Sequence, residues 1–233
     1  TSNYLLENLD LNGTTLAVCA HTDGVLLYNN SNPTNPVQTA VISANNAWTV
    51  VLLDNYAYVA DEDKILVVDI SNLNSPINIG EIQMTNTVKE LAIDNGFLYA
   101  ALGSDGVDIY NLIDPESPQY LDNYNTTTMA NRLAVFDGKL VVADWDDVEV
   151  LEFNGSSLNL VGYKNTGNRT MGIAAKDNHI YSAEWASVQA FEFGEISGPD
   201  IDLSTWELNY PFVDNGNSYS LMVDVINNGN ETF

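Results

Sequence analysis

Five copies of one short plan follow each other along the chain. The segments LAVCAHTDGVLLY, AYVADEDKILVVD, LYAALGSDGVDIY, LVVADWDDVEVLEF and IYSAEWASVQAFEF each consist of an alternating apolar strand, a short acidic or glycine-bearing turn, and a second alternating strand. The small residue that closes the first strand is Cys19, Ala60, Ala101, Ala143 and Ala183, at spacings of 41, 41, 42 and 40 residues. A fixed period of this length is the signature of stacked supersecondary units. A further apolar stretch precedes each pair, in WTVVLLDN, VKELAIDNG, RLAVFDG and MGIAAKDN, and turns are expected at Asp54-Asn55, Asp94-Asn95, Asp137-Gly138 and Asp177-Asn178. Asn and Gly tolerate the positive φ of a tight hairpin, and Asp caps it through its side chain. Behind each pair comes a polar link with Pro36, Pro76 and Pro118 in equivalent places and Leu158 in the fourth, followed by a last strand.

Period-two alternation, frequent turn signals and the absence of a helical period predict an all-β fold. A four-stranded meander of about 40 residues cannot bury both of its faces alone, so neighbouring copies must stack face to face. The expectation is a β-propeller of about five four-stranded blades over residues 1–196, with repeats near 4–46, 47–86, 87–129, 130–169 and 170–193. The fifth repeat lacks its outer strand. A closed ring is favoured, because an open arc leaves two apolar blade faces in water. A sandwich gives no reason for the sequence to repeat.

Charge narrows the partners. Seven Lys and Arg stand against 32 Asp and Glu, a formal net charge of -25 that repels nucleic acid and anionic lipid. No apolar run reaches the roughly 18 residues of a membrane span, so no membrane insertion is expected. The single cysteine, Cys19, excludes an internal disulfide framework. Thr1 opens the chain with no signal-like stretch, as a processed or trimmed product would, and six N-x-S/T sequons permit glycosylation.

The wording YVADEDKILVVDISNLNSPINIGEI at 58–82 and GVDIYNLIDPESPQYL at 106–121 resembles the LVIVD repeat family of bacterial and archaeal surface proteins. Ala60-Asp61, Leu66-Val67-Val68-Asp69-Ile70-Ser71 and Ser75-Pro76 carry the likeness, and repeat four departs most, with Glu152-Phe153-Asn154 and no proline. The resemblance implies a secreted or cell-surface propeller with a scaffolding or adhesive role and no shared catalytic residues. Past Gly198 the pattern changes. Pro199-Asp200-Ile201 and Val223-Asp224-Val225-Ile226-Asn227-Asn228-Gly229 look like the opening of an Ig-like, cell-adhesion-related domain of the CARDB type, so 199–233 is expected to be a partial Ig-like segment whose strands offer a route to self-assembly.

In up-and-down blades every turn between the second and third strands falls on one face, where the inner strands also begin. Trp48, Arg132, Trp145, Arg169 and Trp185 are therefore the candidate face for a protein or glycan partner, with Lys89 beside them. The acidic turns collect on the same face, and Asp61, Glu62, Asp63, Asp144, Asp146 and Asp147 are candidate Ca²⁺ ligands, because hard carboxylate oxygens in flexible turns suit that ion. Cys19 and His21 lie two apart on one strand, yet Cys19 fills a slot that is Ala in the other four repeats, which makes it core rather than nucleophile. Two such histidines support no Ser-His-Asp arrangement. The expected protein is non-catalytic. The competing expectation is a polysaccharide hydrolase or lyase using two carboxylates at the channel mouth.

Overall fold

The computed structural model describes residues 4–194 and the backbone of 201–202 and 226–227. The chain divides into two units, Thr1–Glu192 and Phe193–Phe233. In the first unit sheet 1 contains β1 (Leu9–Asn12), β2 (Thr15–Cys19), β3 (Val25–Asn29) and β4 (Val37–Ile42). Sheet 2 contains β5 (Ala47–Leu53), β6 (Tyr56–Asp61), β7 (Lys64–Asp69) and β8 (Ile77–Gln83), and sheet 3 contains β9 (Glu90–Asp94), β10 (Phe97–Ala101), β11 (Val107–Asn111) and β12 (Gln119–Tyr124). Sheet 4 contains β13 (Ala130–Phe136), β14 (Lys139–Asp144), β15 (Asp147–Phe153) and β16 (Leu158–Asn165). Sheet 5 has only β17 (Thr170–Lys176), β18 (His179–Glu184) and β19 (Val188–Glu192), so the missing outer strand is missing among the described residues too. Every sheet is an antiparallel meander in chain order, and no described helix is long and apolar enough to cross a membrane.

Turn chemistry sets the registers. Leu53 pairs with Tyr56, Phe136 with Lys139 and Lys176 with His179, which leaves the expected two-residue loops. In sheet 3 the loop is Asn95-Gly96, one residue later than expected, because Asp94 still pairs with Phe97. Asn95 and Gly96 take φ of 47° and 79°, the doubly positive geometry for which Asn-Gly is best suited. The motif Asp-Ile-Ser-Asn after β7 is a pair of side-chain caps: Asp69 Oδ1 accepts from Ser71 N at 2.8 Å and Asn72 Oδ1 from Asn74 N at 3.1 Å. The same two caps recur at Asn29 and Asn32 and at Asn111 and Asp114. Each cap satisfies a turn N–H that no strand can reach.

Alternation then divides each strand between two neighbours. Ala57, Val59, Leu66 and Val68 of sheet 2 bury against Ala17, Cys19, Val25 and Leu27 of sheet 1, while Tyr58, Ala60, Ile65 and Val67 bury against Leu91, Leu98, Ala100 and Tyr110 of sheet 3. Tyr99, Ala101, Val107 and Ile109 in turn meet Leu140, Val142 and Leu151 of sheet 4. Consecutive inner strands β1, β5, β9, β13 and β17 pack on one another, but β17 does not pack onto β1 in this way. Among the described residues the closed five-sheet ring is thus not formed. Strands of the terminal sheets remain in solvent: Leu9 and Leu11 of β1 are 63% and 51% exposed and Val188 of β19 is 77% exposed, although Leu26 of β3, on the same face as Leu9, is buried. Apolar parity in a terminal sheet marks a face able to pack, and among the described residues no strand of sheet 5 packs onto β1 as the consecutive inner strands pack on one another.

In the second unit β20 (Ile201–Asp202) and β21 (Ile226–Asn227) pair antiparallel, Ile201 with Asn227 and Asp202 with Ile226. The rest of the expected Ig-like segment lies outside the described residues.

Candidate functional site

A backbone clip joins each sheet to the next on the face where the second and third strands turn. His21 and Ala47 exchange N–H···O bonds of 3.2 and 2.9 Å, and Gly103 and Ala130 exchange bonds of 3.1 and 3.0 Å. Val88 N donates to Glu62 O at 2.9 Å and Thr170 N to Trp145 O at 2.6 Å. The turn residue of each clip is left-handed, with φ of 51° at His21, 61° at Glu62, 60° at Gly103 and 57° at Trp145. The position holds His, Glu, Gly and Trp in the four blades. Its side chains vary because only the backbone is constrained.

The side chains above these clips form the candidate face. The guanidinium carbon of Arg169 lies 3.4 Å from the Trp145 ring centroid and 5.4 Å from that of Trp185. Trp185 itself is 70% exposed. Trp48 packs edge-on to His21 with ring centroids 5.4 Å apart, and His21 lies 3.5 Å from Glu7. Arg132 pairs with Glu90 at 3.7 Å, and Glu90 Oε1 also accepts from Asn8 at 3.1 Å and Thr49 at 3.2 Å, so this carboxylate ties together the inner edges of four sheets. Burial raises the Glu90 carboxyl above its ordinary value, against the opposing pull of Arg132. Of the five expected face residues, Trp145, Arg169 and Trp185 meet, whereas Trp48 and Arg132 belong to separate contacts.

The acidic turns do not act alike. Asp61 is buried, but Oδ1 accepts from Asn46 N at 2.8 Å and Oδ2 from Asn45 Nδ2 at 3.3 Å, so it caps a link. Glu62 and Asp63 are exposed beside it, and these three do not form a cation cluster. In sheet 4 Asp144 and Asp147 do converge, and their third partner is Glu149, with one carboxylate oxygen of each within 4.8 Å of the others. Asp146 is exposed and accepts instead from Thr128 Oγ1 at 3.1 Å. Burial, and then the charges of Asp144 and its neighbour, push the Glu149 carboxyl up to about 8; burial first, with Asp144 adding to it, pushes Asp147 up to about 6. Sequence reasoning missed Glu149 because it sits on a strand. The available signal was an acid at an inward position of VEVLEF.

A groove of about 600 Å³ opens between sheets 2 and 3, lined by Met84, Asp105, Asp108, Tyr110, Tyr120 and Asn123 among others. Asn123 Nδ2 donates to Asp108 Oδ1 at 2.8 Å and Tyr110 OH to Asp108 Oδ2 at 3.1 Å. Burial raises the Asp108 carboxyl, while hydrogen bonds from Thr85 and Asn86 lower Asp105. Cys19 is fully buried and its thiol is pushed up to about 12 by burial, then by Glu90 and Glu7, which removes the thiolate a nucleophile needs.

Residues 44–83, which contain sheet 2 and its clip to sheet 1, match the LVIVD repeat. Solved structures similar to the whole repeat region include the designed Ika8 protein, at 14% identity over 81% of this chain and 58% of that one, with a TM-score of 0.66. Hsv2 of Kluyveromyces lactis is 14% identical over 82% of this chain and 61% of its own, with a TM-score of 0.59. The Cps50 (Swd1) beta-propeller domain of Myceliophteria thermophila is 9% identical over 83% and 71%, with a TM-score of 0.69. The fold is a β-propeller. The five sheets are its blades, and the chain spans 58% and 61% of the length of the first two of these structures. No curated protein matches the chain.

Proposed function

We propose that this propeller is a non-catalytic interaction module of a secreted or cell-surface protein, and that it holds a protein partner on the face carrying the blade-to-blade clips. The observation that carries the reading is the stack of Arg169 between Trp145 and the exposed Trp185. A guanidinium fixed on one indole presents its neighbour as a rigid apolar anchor with a cation beside it, the residue types that dominate contact energy. The predominantly acidic surface favours a partner with basic groups around that anchor. The adhesive role and the surface location rest on the LVIVD likeness. The parent chain, Trp185→Ala and Arg169→Ala are to be immobilised and exposed to the same extract of cell-surface proteins. Either substitution should reduce capture of the bound protein at least about tenfold, Trp185→Ala at unchanged melting temperature and Arg169→Ala with the fold retained. Equal capture by all three sinks the proposed face.

A second reading, a polysaccharide hydrolase or lyase, draws on the groove between blades 2 and 3. There Asp105 and Asp108 have carboxyls driven in opposite directions, the pattern of an acid and base pair. The groove lies between the outer strands rather than at a channel mouth. Release of reducing ends or unsaturated products from soluble polysaccharides, abolished in Asp108→Asn, is its test. No release by the parent eliminates it.

A further inference from the structure

Three carboxylates buried side by side without a cation need a physical reason. Asp144, Asp147 and Glu149 are 0%, 2% and 0% exposed, and among the described residues none of them is in an ion pair. Each has one oxygen anchored by the link between blades 3 and 4. Asp144 Oδ2 accepts from Thr128 N at 2.7 Å and from Thr127 Oγ1 at 2.8 Å. Asp147 Oδ2 lies 2.8 Å from the same Thr127 hydroxyl, and Glu149 Oε1 accepts from Thr127 N at 3.3 Å. That hydroxyl has one proton and cannot serve both aspartates. The other oxygens, Asp144 Oδ1, Asp147 Oδ1 and Glu149 Oε2, are buried with no partner at good hydrogen-bond geometry, as is Thr126 Oγ1 beside them, and the one further group acting on the Asp147 carboxyl is the Tyr163 hydroxyl of β16.

The blade does not require this arrangement. Cross-strand register places Leu26, Leu66, Asp108 and Gln189 of the other blades at the Glu149 position, and Lys64 of blade 2 at the Asp147 position. Blade 2 therefore sets Asp61 beside a lysine and a leucine, whereas blade 4 sets Asp144 beside two further acids. A buried carboxyl without a partner is unfavourable whether ionised or protonated, so the three acids are a liability to an ion-free fold.

We infer that Asp144, Asp147 and Glu149 form a binding site for one Ca²⁺ ion in blade 4. The donor set is all oxygen, with no histidine or thiol, as a hard cation requires. Ca²⁺ holds its ligands at roughly 2.3–2.6 Å, so ligands on opposite sides of one ion are up to about 5 Å apart, and the 4.8 Å limit among these oxygens fits that envelope. Hydrogen bonds from the link hold the three carboxylates in place, and each carboxylate keeps a second buried oxygen that no protein hydrogen bond occupies. The site stands independently of the partner face proposed above.

The full chain, stripped with EDTA and titrated with CaCl₂ by calorimetry, should take up one ion at this site and melt at a higher temperature in Ca²⁺ than in EDTA. Asp147→Asn and Glu149→Gln should each weaken binding at least about tenfold. Glu149→Leu copies the residue of blade 2, and it should melt higher than the parent in EDTA while showing no Ca²⁺ shift. Identical melting of the parent in Ca²⁺ and EDTA overturns the proposal. So does Ca²⁺ binding left intact in Glu149→Gln and Glu149→Leu, which would locate the ion on the acidic surface. A shift produced by MgCl₂ and not by CaCl₂ overturns the assignment to calcium.

Discussion

The guanidinium of Arg169, at the start of blade 5, sits 3.4 Å over the indole of Trp145 in the turn of blade 4, at the place where Thr170 N also bonds to the Trp145 carbonyl. Side chain and backbone thus fasten the same two blades. A cation held against an indole contributes about 0.5–2 kcal/mol. Trp145→Ala is expected to lower the unfolding free energy by about 1–2 kcal/mol, and Arg169→Ala to change tryptophan fluorescence without loss of fold. Urea denaturation followed by fluorescence checks both, and unchanged stability in Trp145→Ala contradicts the stack.

The glycines of the turns separate backbone cost from steric cost. Gly103 is left-handed at φ 60°, yet a Cβ there would meet nothing closer than 3.6 Å, so Gly103→Ala should cost only about 1 kcal/mol. Gly106 is left-handed too, at φ 75°, but its Cβ would run into the carbonyl oxygen of Tyr124. Gly106→Ala should therefore cost about 3 kcal/mol or more. Equal melting temperatures for the two variants would refute this ranking.

Burial and apolarity come apart at the terminal blades. Leu27 is fully buried between blades 1 and 2, and Leu27→Ala should cost about 2–5 kcal/mol. Leu9 is equally apolar but 63% exposed, and Leu9→Ala should change stability by no more than about 0.5 kcal/mol. A Leu9→Ala cost comparable to that of Leu27→Ala would mean that the β1 face is covered.

Cys19 supplies a pH test. Its thiol is raised from 9.0 to about 12, so the folded protein keeps a proton that the unfolded chain releases in that range. The stability it contributes is whole below 9.0 and is lost as pH rises through about 12. Native protein at pH 8 should not react with a thiol reagent, and the urea-unfolded chain should. Cys19→Ala adopts the residue of the other four blades, so it should fold and be less sensitive to alkali; rapid labelling of the native protein would contradict the burial.

The sequence reveals repetition well and closure poorly. Adjacent residues such as Ala57 and Tyr58 announce two covered faces because period two leaves no other arrangement for consecutive apolar residues. The double caps at Asp69 and Asn72 are likewise local and recur with the period. Leu9 and Leu11 carry the same apolar alternation as the covered strands, but whether a neighbour covers them depends on the far end of the repeat array. The face at Trp145, Arg169 and Trp185 was legible because topology alone collects turns on one side. The acidic site was half legible. Asp61 and Asp144 look alike in sequence, and only the cross-strand partners, Lys64 for one and Asp147 for the other, separate a cap from a cluster.

Amide hydrogen exchange tests the central claim, that equivalent blades stack side by side and leave β1 and β19 of the terminal blades open to solvent. The account predicts the slowest exchange in β6, β7, β10, β11 and β14, whose residues are buried almost throughout, with β1 and β19 exchanging much faster. Protection of β1 and β19 equal to that of the central blades would contradict it, because those strands would then be covered as the inner ones are.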